Sequence, residues 1–147
     1  IVDAPGLPGL EETLQNFPKL KILGHSPGFW TEIAVLETPF DRAGWRAGKI
    51  EQEGVLPKLF RRYPNLYGDL SAGSGTMALT RDPEYAVKFM TEFQDRLLFG
   101  LDICTAVEPP RAKDLGAFLE KMLAEKKITK EIFDKITHRN AIRLLGL

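Results

Sequence analysis

One plan is written three times in this chain: an apolar helix end, a short turn, then a strand that finishes on a polar residue. The segments are Phe17-Pro18-Lys19-Leu20-Lys21-Ile22-Leu23-Gly24-His25, Tyr63-Pro64-Asn65-Leu66-Tyr67-Gly68-Asp69-Leu70-Ser71 and Phe93-Gln94-Asp95-Arg96-Leu97-Leu98-Phe99-Gly100-Leu101-Asp102. Strands that alternate with helices imply βα units and a parallel sheet. Ligands of such sheets sit beyond the carboxyl ends of the strands. His25, Asp69 and Asp102 all fall at those ends, so one imidazole and two carboxylates are expected on one rim.

Between these segments the pattern is helical. Leu10, Leu14 and Phe17 mark a short helix that Pro18 closes, and strand 20–25 leads through Ser26-Pro27-Gly28 into a helix near 29–35. Residues 36–50 hold Pro39, Gly44 and Gly48 beside Phe40, Arg42, Trp45 and Arg46, and read as a long loop of the kind that often carries function. Val55, Leu56, Leu59 and Phe60 form a helical stripe before strand 66–71. Ala72-Gly73-Ser74-Gly75-Thr76 reads as a loop. Asp82 with Pro83 behind it opens a helix, and Ala86, Phe89, Met90 and Phe93 give its apolar face. After strand 97–102 and a loop through Pro109-Pro110, Leu115, Phe118, Leu119, Met122 and Leu123 make an amphipathic helix, and two short helices follow.

The chain of 147 residues is long enough for a real core, and one domain over residues 1–147 is the expectation. Twenty basic residues balance twenty acidic ones, which argues against a nucleic-acid or anionic-membrane binder. No apolar run approaches the roughly 18 residues of a membrane span. The single cysteine, Cys104, excludes an internal disulfide and fits a reducing, cytoplasmic setting. No signal-peptide pattern opens the sequence, and its start at Ile1 rather than methionine predicts a truncated chain.

Side chains alternate along a strand, so parity decides which groups share a face. His25 goes with Leu23 and Lys21, Asp69 with Tyr67 and Ser71, and Asp102 with Gly100 and Leu98. Gly100 below Asp102 leaves room for a ligand close to the backbone. A carboxylate and an imidazole at strand ends suit a divalent ion such as zinc or manganese; the imidazole also suits general acid or base work. An aspartate after a strand equally well caps the following turn. Ser71, on the Asp69 face, is a candidate substrate contact. Arg42, with Arg46 across Trp45, suits bidentate pairing with a substrate carboxylate, and Trp45 would line the same site; an interface or lid role for 36–50 is an equal alternative. Gly73-Ser74-Gly75 could cradle an anion through backbone amides but lacks the lysine of a phosphate loop. Cys104 lies two residues past Asp102 with nothing in the sequence to mark it as reactive. His138, in the terminal helical region, reads as a surface or packing residue.

The phrasing of the segments adds a resemblance. The stretch 17–28 resembles the sixth-strand motif of the amidohydrolase-related family, in the branch similar to aminocarboxymuconate semialdehyde decarboxylase. Residues 63–71 are similar to its seventh strand, 96–102 to its eighth, and 140–147 to its terminal helix. The resemblance implies an α/β fold whose parallel βα units correspond to the last three-eighths of a (β/α)8 barrel, with helices at the C-terminus. It also implies a metal-dependent enzyme, zinc being the favoured ion, in which activated water acts on a small carboxylic or cyclic substrate by hydrolysis or decarboxylation. Asp102 matches the family's eighth-strand metal ligand, and His25 its sixth-strand histidine at the metal centre, active in catalysis or ligation. Leu101 stands where the family commonly has a small hydroxyl residue. The family's first-strand His-x-His pair and fifth-strand histidine have no counterpart here, so the chain offers at most two ligands.

The expectation is therefore the C-terminal part of such an enzyme, completed by a missing N-terminal half or by another chain. The alternative is a non-catalytic α/β interaction module that self-associates, since a part-barrel leaves strand edges and apolar surface to be covered. A doubly wound nucleotide-binding domain is disfavoured, because no glycine-rich fingerprint joins a first strand to its helix.

Overall fold

The computed structural model describes residues 3–38, 41, 47–106 and 113–147. Three strands, β1 (Ile22–Gly24), β2 (Leu66–Asp69) and β3 (Leu97–Leu98), form a parallel sheet in the order β1-β2-β3. The expected α/β architecture is thus present, with each strand shorter than its apolar run. The register pairs Ile22 with Leu66, Leu23 with Tyr67 and Gly24 with Gly68, then Gly68 with Leu97 and Asp69 with Leu98.

The helices are α1 (Pro8–Asn16), α2 (Pro27–Trp30), α3 (Val55–Arg62), α4 (Ala72–Thr80), α5 (Pro83–Phe93), α6 (Asp114–Ala124), α7 (Lys130–Asp134) and α8 (Asn140–Leu145). A 3-10 turn, Thr31–Ile33, continues α2, and a π-helical turn, Lys135–Arg139, joins α7 to α8. The Asp3 carboxylate accepts the N–H groups of Gly9 and Leu10 and so caps the first turn of α1. Asp82 caps α5 by accepting the Tyr85 N–H, with Pro83 behind it, as its sequence pattern predicts.

The segment 72–76 corrects the sequence reading: it is not a loop but the first part of α4. Glycine and serine are poor helix formers, and tertiary packing outweighs that preference here. A Cβ at Gly75 would lie 2.4 Å from the Leu70 carbonyl oxygen, so only glycine lets this helix run so close to the end of β2.

One face of the sheet is packed. Phe29, Trp30, Phe60, Phe89 and Phe93 interlock with ring centroids 4.8–6.4 Å apart. The strand glycines make room for them: a Cβ at Gly68 would meet the Trp30 ring at 2.8 Å, and one at Gly24 would overlap the Phe29 ring. The opposite parity carries Leu23 and Tyr67, then His25 and Asp69; Leu23 is 45% exposed.

Each helix-to-strand turn is fastened by one donor from the next unit along the chain. Asn65 Nδ2, next to β2, donates to the carbonyls of Phe17 and Leu20 in the first turn. Arg96 Nη1, next to β3, donates to those of Tyr63 and Leu66 in the second. Asn140 Nδ2, at the start of α8, donates to those of Gln94 and Leu97 in the third. In every case the accepting carbonyls are three residues apart. The Phe99 N–H donates to the Ile136 carbonyl at 2.9 Å, so the terminal helices are also pinned to the extension of β3.

A candidate active site at the carboxyl ends of the strands

A non-glycine residue with positive φ follows each strand at its carboxyl end: Ser26 (89°) after β1, Ala72 (58°), the first residue of α4, after β2, and Asp102 (54°) after β3. Such conformations are costly for residues with a Cβ, and they gather at functional rims. Here they turn the chain sharply at the strand ends and bring His25, Asp69 and Asp102 together.

The imidazole of His25 lies between the two carboxylates. Its Nδ1 is 3.2 Å from Asp69 Oδ2, and its Nε2 is 3.8 Å from Asp102 Oδ2. All three side chains are partly open to solvent. Asp69 is held from several sides. Its Oδ1 accepts the Ser71 N–H at 2.9 Å, and its backbone carbonyl accepts the indole N–H of the buried Trp30 at 2.8 Å. Ser71 is also buried, with its Oγ 3.4 Å from His25 Nδ1. Gly100 backs the group: a Cβ there would stand 2.9 Å from Ser71 Cβ and 3.5 Å from Asp69 Oδ1. Cys104 Sγ sits 3.5 Å from Asp102 Oδ1, and hydrogen bonding to that carboxylate, with its charge, pushes the thiol pKa up, away from the reactive thiolate.

The structure thus gathers His25, Asp69, Asp102 and Ser71 at one rim, with the imidazole between the two carboxylates. Arg42 and Trp45 lie outside the described residues. His138 is exposed, with its ring near the Thr137 hydroxyl, far in role from this cluster. Parity in the sequence groups His25 with Asp69, but Asp102 lies four residues beyond β3 and reaches the rim through its positive-φ turn rather than through strand alternation. The Trp30 contact has no such signal, since it joins residues 39 apart in the chain.

The chain matches the family described as amidohydrolase over residues 2–147. It belongs to the amidohydrolase family. No curated protein and no solved structure matches it. Membership points to hydrolase- or decarboxylase-type chemistry. The three-stranded parallel sheet fits part of the barrel-type fold of an amidohydrolase.

Amidohydrolases usually bind a divalent metal, and the donors at this rim can be tested against one. Bonds from zinc to nitrogen and to oxygen of about 2.1 Å each let one ion span donors up to about 4.2 Å apart. The 3.8 Å between His25 Nε2 and Asp102 Oδ2 falls inside that reach. Asp69 faces the other ring nitrogen and does not join them. Among the described residues, no group of three or more histidine, cysteine, aspartate or glutamate side chains is arranged to hold a metal. The residues fit two corners of a catalytic centre that ordinarily takes three protein ligands.

Proposed function

We propose that this amidohydrolase contributes the carboxyl-end portion of a metal-dependent active site, with His25 and Asp102 as two of its ligands, in an enzyme of the aminocarboxymuconate semialdehyde decarboxylase-like branch. On this reading the chain is a single domain that supplies the last three βα units of a (β/α)8 barrel. The substrate is a small carboxylic or cyclic compound, cleaved by hydrolysis or by loss of carbon dioxide. The observation that carries the proposal is the pairing of His25 Nε2 with Asp102 Oδ2 at a separation one ion can span, at the strand ends where barrel enzymes do their chemistry. A divalent ion bound there would supply Lewis-acid polarisation of a substrate oxygen or of water. The chain's own residues then hold that ion's position, orient the imidazole and, through the buried Ser71, border the substrate space. Arg42 and Trp45 are proposed as further substrate contacts.

Titration of the chain with zinc chloride, followed by calorimetry and elemental mass spectrometry, tests the ligand assignment. Wild type is expected to bind. Asp102→Asn is expected to weaken binding by more than the roughly 10–100-fold typical of losing an outer-shell partner. Equal zinc affinity in wild type and Asp102→Asn would sink the assignment.

A second reading, a non-catalytic module that self-associates, is favoured by the exposed Leu23 on β1, an outer strand of the sheet, and Leu20 in the turn before it. The two readings separate on whether zinc affinity or only association state responds to substitution.

A further inference from the structure

Two carboxylates compete for one imidazole in this cluster, and the geometry ranks them. Asp69 Oδ2 stands 3.2 Å from Nδ1, within ion-pair reach, while Asp102 Oδ2 stands farther off, 3.8 Å from Nε2; the contact at Nδ1 with hydrogen-bond geometry is that of the Ser71 hydroxyl. A neutral imidazole has one N–H, and the partner of one nitrogen decides the state of the other. A carboxylate is the stronger acceptor for that N–H because the bond is charge-assisted. The Ser71 hydroxyl, 3.4 Å from the same Nδ1, is both farther away and uncharged.

We propose that Asp69 is a positioning residue: it accepts the Nδ1–H of His25, fixing the tautomer whose Nε2 lone pair faces Asp102 and the ligand space. The alternative is that Asp69 merely caps the turn after β2. The structure assigns those two tasks to different oxygens. Oδ1 takes the Ser71 N–H at 2.9 Å, which fixes the carboxylate plane and leaves Oδ2 for the imidazole. The Trp30 indole holds the Asp69 carbonyl at 2.8 Å, and pairing of Asp69 with Leu98 holds its backbone in the sheet. Gly100 keeps the space beside Ser71 and Asp69 open. The carboxylate is thus aimed before any ligand arrives. A metal-ligating histidine needs such an outer partner on its second nitrogen. That consequence rests on the metal-centred function proposed above; the tautomer itself does not.

The chain has only two histidines, so nitrogen NMR of the full-length protein can read the assignment directly. A ¹⁵N-labelled sample is recorded at a pH where imidazoles are neutral, with His138→Gln assigning the signals. For His25, a pyrrole-type Nδ1 and a pyridine-type Nε2 are expected. The reverse pattern, or the averaged shifts of a ring exchanging freely between tautomers, would overturn the proposal. Asp69→Asn keeps an oxygen for the Ser71 N–H but can place an NH2 donor beside Nδ1, and is expected to move the proton to Nε2. A folded Asp69→Asn whose His25 tautomer is unchanged also overturns it. Ser71→Ala is expected to leave the tautomer as it is; reversal there would make the hydroxyl, not Asp69, the controlling partner. If Asp69→Asn does not fold, the wild-type and Ser71→Ala spectra still decide. Zinc chloride added to the wild-type sample tests the function separately: an Nε2 signal indifferent to zinc removes the metal-centred reading and leaves the tautomer assignment standing.

Discussion

A methyl group added at Gly75 would meet the Leu70 carbonyl oxygen at 2.4 Å and Leu70 Cα at 2.5 Å, and both belong to backbone that cannot rotate away. Alanine gains about 1 kcal/mol over glycine in an open helix, but overpacking of this kind costs about 1–3 kcal/mol. Gly75→Ala should therefore lower stability in urea melts; a gain would show that α4 can lift from β2 freely. A second residue, Asp82, ties α5 to the segment at Ile50. Burial pushes its carboxyl pKa up, but hydrogen bonds from the Ile50 and Tyr85 N–H groups outweigh that and hold it below the usual carboxylate range. A pKa lowered by folding stabilises the protein above the unfolded value, about 3.9, and that stabilisation is lost as pH falls through the folded value. Asp82→Ala should cost about 1–2 kcal/mol at neutral pH, and the gap from wild type should narrow below about pH 4. A gap that stays constant with pH would rule out the ionised cap as its source. At this scale the sequence was informative wherever spacing is local: Asp82-Pro83 announces a cap, and strand parity groups His25 with Asp69, whereas Asp102 lies past the end of β3 in a turn that parity does not describe. It was silent on contacts set by distant chain, such as Trp30 on Asp69.

The βα plan is legible because each strand begins just after an apolar helix end and a turn, with proline in the first two. The strands end early because the chain must turn out of the sheet to form the rim, at Ser26, Ala72 and Asp102, and nothing in the local apolar pattern encodes those positive φ angles. The start of α4 is illegible for a different reason: its first turn is built from residues that fit a close approach rather than from helix formers. What holds the units in order is the relay of donors from Asn65, Arg96 and Asn140 to the carbonyls of the preceding turn. Asn140 is 1% exposed, so removing its amide would strand the buried Leu97 carbonyl and unpair the half-buried Gln94 carbonyl. A buried acceptor left unpaired costs about 1–3 kcal/mol. Asn140→Ala should destabilise by at least that much, and hydrogen exchange should rise first at the Phe99 amide, which binds the Ile136 carbonyl in the same docked segment. Protection at Phe99 equal to wild type would mean that the terminal helices dock without the relay.

At the scale of the molecule, the two faces of the sheet are unequal. One is filled by the aromatic cluster around Phe60, while the other shows Leu23 and Tyr67, only partly covered. Parallel sheets are ordinarily covered on both faces, because their hydrogen-bonded strands offer apolar side chains to each. Phe17, Leu20 and Leu23 are 58%, 53% and 45% exposed and lie together on the first unit, where β1 is an outer strand. Apolar surface at a strand edge drives association. Sedimentation of the chain should therefore show self-association that grows with concentration, and Leu23→Lys should shift the population toward monomer without loss of helical signal. A chain that stays monomeric at every concentration would remove the self-associating module from consideration. The result also bears on the rim, because Leu23 and His25 share a parity. If Leu23→Lys lowers both association and zinc affinity, the covering surface also helps complete the metal centre. If it lowers association alone, His25 and Asp102 hold their ion without help from that surface, and the edge and the active site are separate properties of the fold.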